Sequence, residues 1–561
     1  MLLTIKGAIM YEGDSYLSYP QIEVSLKDLA KNSDWASLRT IGSSREGRPI
    51  YAMQIGKQNS SINNRPMIWL DGGTHSIEWV SVMTCLYTMN RWLKGLRDKD
   101  ESLCDWFSSN SAMIVPCISP DGYEETLNGA PYFRSVKREP LASEARIGLE
   151  AFDINNDKKC LFMRIKSPLG TMVPDEEEPM LMRPRTLNDD PNNAYFLSFE
   201  GRFINSDAKK LVGASLKHGL DLNRNFPARW APFSMFGQDS GDFPLSEPES
   251  RATMEEFAKH PYIAAALTMH SYTGCILTQP YSKNTPLCDN DIELMHRLAT
   301  DITRGTGYRV LKVASEFSYD GKNEIVGVWA DTMTTVFGVP GYTLELWDPY
   351  SYAGIENKEP AKQFHRPDLN MLRKLFCHFR KNHSELFYPW QKFLHPDLGE
   401  VEIGGIDYQR AIHNPPESLL VAECEKGFMV ADKLRRAVPK VKAQLSVKEI
   451  SDDVREITLE LENGGYLSTS SLELGHKLRP CPKSLAQISL SDGQLLSGDE
   501  VVKLDPLEGF GSLALGYMGH PLYPLLSNKS QTARISWIVK GKGAVKVCWH
   551  MGRAGQGSFE V

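Results

Sequence analysis

Through the first two thirds of the chain, short and nearly continuous apolar runs alternate with helix-length stretches. The runs Ile50–Ile55, Pro66–Leu70, Ala112–Ile118, Ala264–Met269 and Tyr342–Trp347 have the length and density of strands covered on both faces. Between them, Ser76–Leu93, Glu247–Ala258 and Asp289–Thr306 read as helical. This alternation predicts the α/β fold class, with a mixed, largely parallel central sheet flanked by helices. From about residue 441 the apolar period shortens to two, as in Val454–Leu461, Leu485–Leu490 and Ala533–Val539. A small all-β sandwich is therefore expected after the α/β part, dividing the chain into residues 1–440 and 441–561. Its last stretch, Ser536 to Gly543 running into Ala544–Trp549, predicts a hairpin turning on glycines. The rhythm breaks at about 139–217, which is rich in Asp, Glu, Pro and Asn and reads as an insertion on the rim of the first domain. Its most charged part, Asp175-Glu176-Glu177-Glu178-Pro179, is as compatible with disorder as with packing.

Composition narrows the function classes. A chain of 561 residues exceeds one ordinary core. Its 63 basic and 70 acidic residues leave a net charge of −7 with no basic stripe, which argues against nucleic acid as a partner. No apolar run is long enough to cross a bilayer, so a membrane partner is not expected. Met1 to Tyr19 lacks the zones of a secretory signal. The ten cysteines form no CxxC pair, and Cys85, Cys117 and Cys377 fall in apolar stretches. Buried reduced thiols and a cytoplasmic location are expected, with the mature form of an exported protein as the alternative.

The chemistry concentrates at strand ends. After the strand Met67–Leu70 come Gly72-Gly73-Thr74, then His75 and Glu78, three residues apart at the start of a helical stretch. That spacing lets both side chains converge on one point. A capping His with a solvated Glu is the bland reading of this pair alone. His270 follows the apolar run Ala264–Met269. Glu345 lies inside the otherwise apolar Gly341-Tyr342-Thr343-Leu344-Glu345-Leu346-Trp347, where a buried carboxylate needs a metal, water or cation to offset its burial. In open α/β sheets, ligands bind at the carboxyl ends of the strands. Two His and one Glu with an open fourth position form a hydrolytic zinc set. In Asp221-Leu222-Asn223-Arg224-Asn225, the Arg fork and Asn amide suit a terminal carboxylate, and Asp221 suits the support of a zinc-bound imidazole.

In order along the chain, His75-x-x-Glu78, Ser119-Pro120-Asp121-Gly122-Tyr123, Asp221 to Asn225, His270-Ser271-Tyr272 and Glu345-Leu346 resemble the zinc carboxypeptidase family of the carboxypeptidase A type. The resemblance runs from about Tyr19 to Tyr388, interrupted by the insertion, and Ser246-Glu247-Pro248-Glu249 adds a similar stretch without a chemical role. It implies one Zn²⁺ held by His75, Glu78 and His270. Glu345 would be the general base toward the attacking water and would later pass the proton to the leaving amine. Arg134, in Tyr132-Phe133-Arg134-Ser135, would meet the oxyanion, although the family's Trp-Arg-Lys context is absent. Asn223 and Arg224 would grip the free carboxylate, with Asp221 behind His75. Tyr319 is the nearest counterpart of the family's mobile tyrosine, on a longer loop. Ala330 would line the specificity pocket, disfavouring basic side chains, and Asp331-Thr332 replaces the usual Asp-Trp. The implied partner is a peptide with a free C-terminal carboxylate. No pro-segment is recognised, so an enzyme active as made is expected, and the trailing β domain resembles modules following bacterial members. A zinc amidohydrolase acting on N-acyl amino acids or cell-wall peptides is the alternative, and a non-catalytic peptide-binding protein the third reading.

Overall fold

The computed structural model describes residues 3–5, 8–138, 145–205, 210–319, 324–364, 367–512 and 529–561. An eight-stranded sheet forms the centre. In chain order its strands are β1 (Ala36–Ser43), β2 (Pro49–Ile55), β3 (Met67–Asp71), β4 (Ser111–Val115), β5 (Ile263–Ser271), β6 (Cys275–Thr278), β7 (Arg309–Lys312) and β8 (Gly341–Leu346). Their spatial order is β7-β6-β8-β5-β3-β4-β2-β1. The middle of the sheet, β8-β5-β3-β4, is parallel, while β2 and β1 are antiparallel at one side and β6 runs antiparallel to β8 at the other. The carboxyl ends of β3, β5 and β8 therefore meet on one edge.

The fully buried runs of β3, β4 and β5 account for their legibility in the sequence, since both faces are covered. One face carries the helices Trp79–Arg97, Asp289–Thr303 and Glu417–Arg435, packed through Trp92, Met295 and Leu420. The other face packs Trp69, Phe226, Phe257 and Trp329 into one cluster with the helices Pro248–Ala258 and Trp329–Thr335. By contrast, β1 and β7 are mostly half-buried and β6 has four residues, so none shows a long apolar run.

One boundary moves the chemistry. The helix after His75 starts only at Trp79, so His75 and Glu78 lie in the turn before it rather than on its first turn. The Ser76 N–H is drawn away to the Arg134 carbonyl at 2.8 Å, and Ser81 Oγ donates to the Glu78 carbonyl at 2.6 Å.

Residues 139–144 and 206–209 of the expected insertion lie outside the described residues. The remainder contributes the strands Phe162–Lys166, Met172–Pro174, Met182–Pro184 and Tyr195–Phe199 to a six-stranded sheet. The later hairpin Phe387–His395 and Gly399–Ile406 completes that sheet. The acidic stretch is packed rather than disordered. Asp175 and Glu178 are buried and accept from Arg373 and Arg380 on the helix Leu369–Asn382.

Beyond residue 441, two four-stranded sheets face each other around Ile457, Leu459, Trp537, Val545 and Val547. The expected hairpin across Gly541 and Gly543 is not one. Thr532–Lys540 pairs with Val454–Asn463, whereas Val545–His550 belongs to the opposite sheet with Leu485–Leu490. Each strand puts apolar residues into the shared core, so the glycine turn carries the chain between layers. The cysteines carry a second correction. All ten are free thiols, but Cys377 is exposed on its helix instead of buried.

The two parts are joined by a buried cation. Arg553 is 1% exposed and donates through Nη1 to the carbonyls of Pro261 and Ile263, each at 2.8 Å, and through Nη2 to that of Phe337. Asp291 accepts from the N–H groups of Glu473 and Leu474 at the same junction. Arg553→Ala strands three carbonyls, so chemical denaturation should show a loss of about 3 kcal/mol. An unchanged midpoint would remove Arg553 from the joint.

Candidate metal centre

His75, Glu78 and His270 are all buried and bring their donor atoms together at the carboxyl edge of the sheet. His75 Nδ1 lies 2.8 Å from Glu78 Oε1, His270 Nδ1 lies 3.0 Å from Glu78 Oε2, and the two Nδ1 atoms are 3.1 Å apart. Glu78 is held in place by the Ser271 N–H on Oε2 at 3.1 Å and by Arg134 Nη1 on Oε1 at 3.3 Å.

The far side of each ring sets its tautomer. His75 Nε2 is 3.0 Å from Asp221 Oδ1, and a carboxylate only accepts, so the proton sits on Nε2. Thr268 spends its hydroxyl proton on Asp71 at 2.5 Å, so its oxygen accepts from His270 Nε2 at 3.3 Å. Asp71 itself accepts from the indoles of Trp69 and Trp329 at 2.6 and 2.8 Å. Burial pushes the Asp71 carboxyl up to about 6. In their neutral forms both imidazoles therefore turn a bare Nδ1 lone pair toward the same point. Two such lone pairs at 3.1 Å, beside a carboxylate, repel unless a proton or a metal cation lies between them. A tetrahedral ion with bonds of about 2.0–2.1 Å spaces its donors by ~3.3 Å, so the set fits zinc.

Register places Glu345. His270 and Glu345 are direct partners across the parallel β5–β8 pair. Burial raises the Glu345 carboxyl to about 8, with Glu78 adding to the effect and His270, Arg134 and Arg224 opposing it. Burial also works against the charge on Asp221, but Arg224, His75 and Arg134 outweigh it and hold that carboxyl well below its usual range. Arg134 reaches both Glu78 and Asp221, with Nε 3.4 Å from Asp221 Oδ2, and so stands beside the donor set.

Asn223 and Arg224 lie in the short 3₁₀ turn Leu222–Arg224. Asn223 commits its amide oxygen to the Trp329 N–H at 2.9 Å, leaving its NH₂ as donor. Arg224 is 4% exposed and gives Nη1 to the Asn223 carbonyl at 2.8 Å, while its Nε is buried with no hydrogen-bond partner. Gly327, at φ +64°, lets the next loop close over this turn, since a Cβ there would meet the Arg224 carbonyl. Tyr319 packs on Phe236, Phe317 and Phe364, within electrostatic reach of Arg224, Arg134 and Glu345. Ala330 is fully buried in the apolar cluster on which Tyr319 rests, with Tyr281 and Phe317. The neighbouring Asp331 is paired with Arg229 at 3.0 Å.

Two motifs prove to be braces. Ser119 donates to the Thr74 carbonyl behind His75, and Asp121 collects Ser44, the Glu46 N–H and Arg48. Glu247 anchors Arg45, while Asn225 ties the Arg224 turn to Ser240, Ser246 and Ser250. The Thr268–Asp71 relay escaped the sequence reading. A Thr two residues before a His is an ordinary strand feature.

Residues 22–174 and 186–367 match the family model described as zinc carboxypeptidase. The chain belongs to the zinc carboxypeptidase family. Residues 441–561 match a domain of unknown function. Carboxypeptidase B of Astacus astacus is 31% identical over 126 residues, which is 22% of this chain and 39% of that protein. Carboxypeptidase O of Bos taurus is 23% identical over 328 residues, which is 56% of this chain and 65% of the relative. The chain thus spans less than two thirds of these relatives' lengths. The family includes an inactive metallocarboxypeptidase from Arthroderma benhamiae, 28% identical over 115 residues. Among solved structures, carboxypeptidase A from Helicoverpa armigera covers 66% of this chain and 75% of its own, at 20% identity and a TM-score of 0.41. No helix among the described residues is long and apolar enough to cross a membrane.

The raised Glu345 carboxyl has a measurable consequence in chelator-treated protein. Its pKa rises on folding from about 4.5 to about 8, so folding takes up a proton between those values. Stability from this group is complete below pH ~4.5 and is lost as pH rises toward ~8. Glu345→Gln should flatten that slope in denaturation curves, and an identical slope in the variant would show that another group carries it.

Proposed function

We propose that this protein is a one-zinc metallocarboxypeptidase that hydrolyses the C-terminal peptide bond of peptides. His75 Nδ1, Glu78 and His270 Nδ1 would hold the ion. Zinc bound there supplies a Lewis acid that polarises a carbonyl and makes water acidic near neutral pH.

The chain's own residues supply the remaining steps. Arg224 and Asn223 take the substrate's terminal carboxylate, and Tyr319 packs over the terminal residue. Ala330 contributes a small apolar wall, and the Arg229 partner cancels the charge of Asp331, so apolar or aromatic end residues suit this pocket better than basic ones. Glu345 removes a proton from the attacking water and returns it to the leaving amine. Arg134 stands beside Glu78 to meet the negative charge that develops on the carbonyl oxygen.

The observation that carries the choice of an exopeptidase is the buried, partly unpartnered Arg224. Its charge is already balanced in part by Asp221, and its unused Nε–H suits a further carboxylate in fork geometry.

The test is a peptide-library digest read by mass spectrometry, with and without chelator. Zinc-loaded protein should shorten peptides from the free-acid end by single residues, and chelation should stop it. Peptides ending in an amide should resist. Internal cleavage, or equal cleavage of acids and amides, contradicts the assignment. Glu345→Gln should retain zinc while losing ~10²–10⁴-fold in kcat/KM. Arg224→Ala should lose ~10–100-fold on free-acid peptides and far less on amides. His270→Ala should fail to retain zinc under mild chelation, and a variant holding zinc as tightly as the parent would remove it from the ligand set.

A further inference from the structure

Beyond the Arg224 turn the chain folds back as a small hairpin, with Ser234–Met235 paired to Gln238–Asp239. Its two-residue tip, Phe236-Gly237, holds both residues at positive φ, +57° and +74°. That is the pattern of a type I′ turn, whose usual first residue is Asn, Asp or Gly. A bulky side chain in the left-handed region is strained, and the Phe236 ring is in addition 48% exposed. Neither the turn nor the core gains from a phenylalanine there, so the ring needs another explanation.

The neighbours of the hairpin supply one. Phe233, just before it, has the Arg224 guanidinium over its ring at 5.0 Å. Phe236 at the tip meets the Tyr319 ring edge-on, with centroids 5.9 Å apart and planes at 85°. Phe317 and Phe364 meet the same ring edge-on at 5.9 and 5.7 Å, and both belong to the apolar cluster of Ala330. Tyr319 is therefore the hub of three rings, two from the pocket wall and one brought by the hairpin from the Arg224 side. The base of the hairpin is fixed. The Asp239 N–H donates to the Gly219 carbonyl at 2.7 Å, the Asp239 carbonyl accepts from the Asp221 N–H at 2.9 Å, and Arg138 pairs with the Asp239 carboxylate. The tip thus takes its place from the same segment that carries Asp221 and Arg224.

We propose that Phe236 is a positioning residue, which fixes the Tyr319 ring relative to Arg224 so that a single terminal residue meets both. Arg224 takes its carboxylate and Tyr319 its side chain. This rests on the carboxypeptidase reading and deepens it. The substrates that depend on Phe236 are those whose terminal side chain is large enough to reach Tyr319, whereas a terminal glycine has nothing to place there.

The test uses two free-acid peptides on the zinc-loaded protein that differ only at the last residue. One ends in the best-cleaved residue from the digest, and the other ends in glycine and is read as a competitive inhibitor of the first. Phe236→Asn removes the ring and gives the turn its preferred Asn-Gly pair, so the unfolding midpoint should hold or rise. It should raise KM for the first peptide about three- to tenfold, the effect of one aromatic pair, with kcat within twofold. The inhibition constant of the glycine-ended peptide should stay within twofold. Phe236→Tyr should restore the wild-type KM. In a Tyr319→Ala background, Phe236→Asn should add no more than twofold, because the ring it places is gone. Equal losses on both peptides would reduce the hairpin to a support for the Arg224 turn, and an unchanged KM would leave the ring without effect; either overturns the proposal. Should the Asn variant fail to fold, Phe236→Leu, apolar but without a ring, carries the same comparison. A wild-type protein that cleaves no free-acid peptide sinks the carboxypeptidase reading and this proposal together, whereas normal cleavage with a KM indifferent to Phe236 sinks the proposal alone.

Discussion

Two imidazole lone pairs and a carboxylate pointed at one place are the constraint on which the rest depends. Left to themselves, His75 and His270 would lower their energy by turning a protonated nitrogen toward Glu78. For a neutral ring the structure opposes this from behind, where Asp221 takes the proton side of one ring and Thr268, committed to Asp71, takes that of the other. The bare nitrogens are thus imposed by groups that touch no substrate. Such an arrangement is destabilising for an apoprotein and favourable for one with a divalent cation at its focus.

The scaffold supplies the rigidity this requires. Three of the chemical positions lie at or just past the ends of adjacent parallel strands, so their separation is governed by ladder geometry rather than by loops. His270 and Glu345 face each other in register, which puts the proposed base beside a proposed ligand without any dedicated loop. The loops that remain are short of freedom. Asn225 and Asn414 each spend several hydrogen bonds, and Ser119 one, tying a turn of the candidate site to its surroundings. The cost appears in the carboxyls. Asp71 and Glu345 are raised by burial, and Asp221 is kept ionised by Arg224, Arg134 and its hydrogen-bonded partner His75.

What was legible in the sequence follows from the same physics. Strands buried on both faces announce themselves as apolar runs, so β3, β4, β5 and β8 were readable to within a few residues. Half-exposed β1 and β7 were not. A carboxylate inside an apolar strand marked Glu345, and the Asn-Arg-Asn turn marked Arg224. Period-two alternation showed the sandwich strands but not which sheet each joins, because Thr532–Lys540 and Val545–His550 look alike whether they pair or face each other. The acidic stretch at Asp175 could not be judged locally, since its cations, Arg373 and Arg380, arrive some 200 residues later. The Thr268–Asp71 relay was invisible for a related reason: single residues of common type acquire meaning only from contacts made across the fold.

X-ray absorption at the zinc edge on the zinc-loaded protein tests the central claim most directly. The account predicts one zinc per chain, with two nitrogen and one or two oxygen ligands from protein at about 2.0–2.1 Å and multiple-scattering features of two imidazoles. A spectrum showing sulfur ligands, one or no imidazole, or oxygen donors alone would place the metal elsewhere and contradict the account.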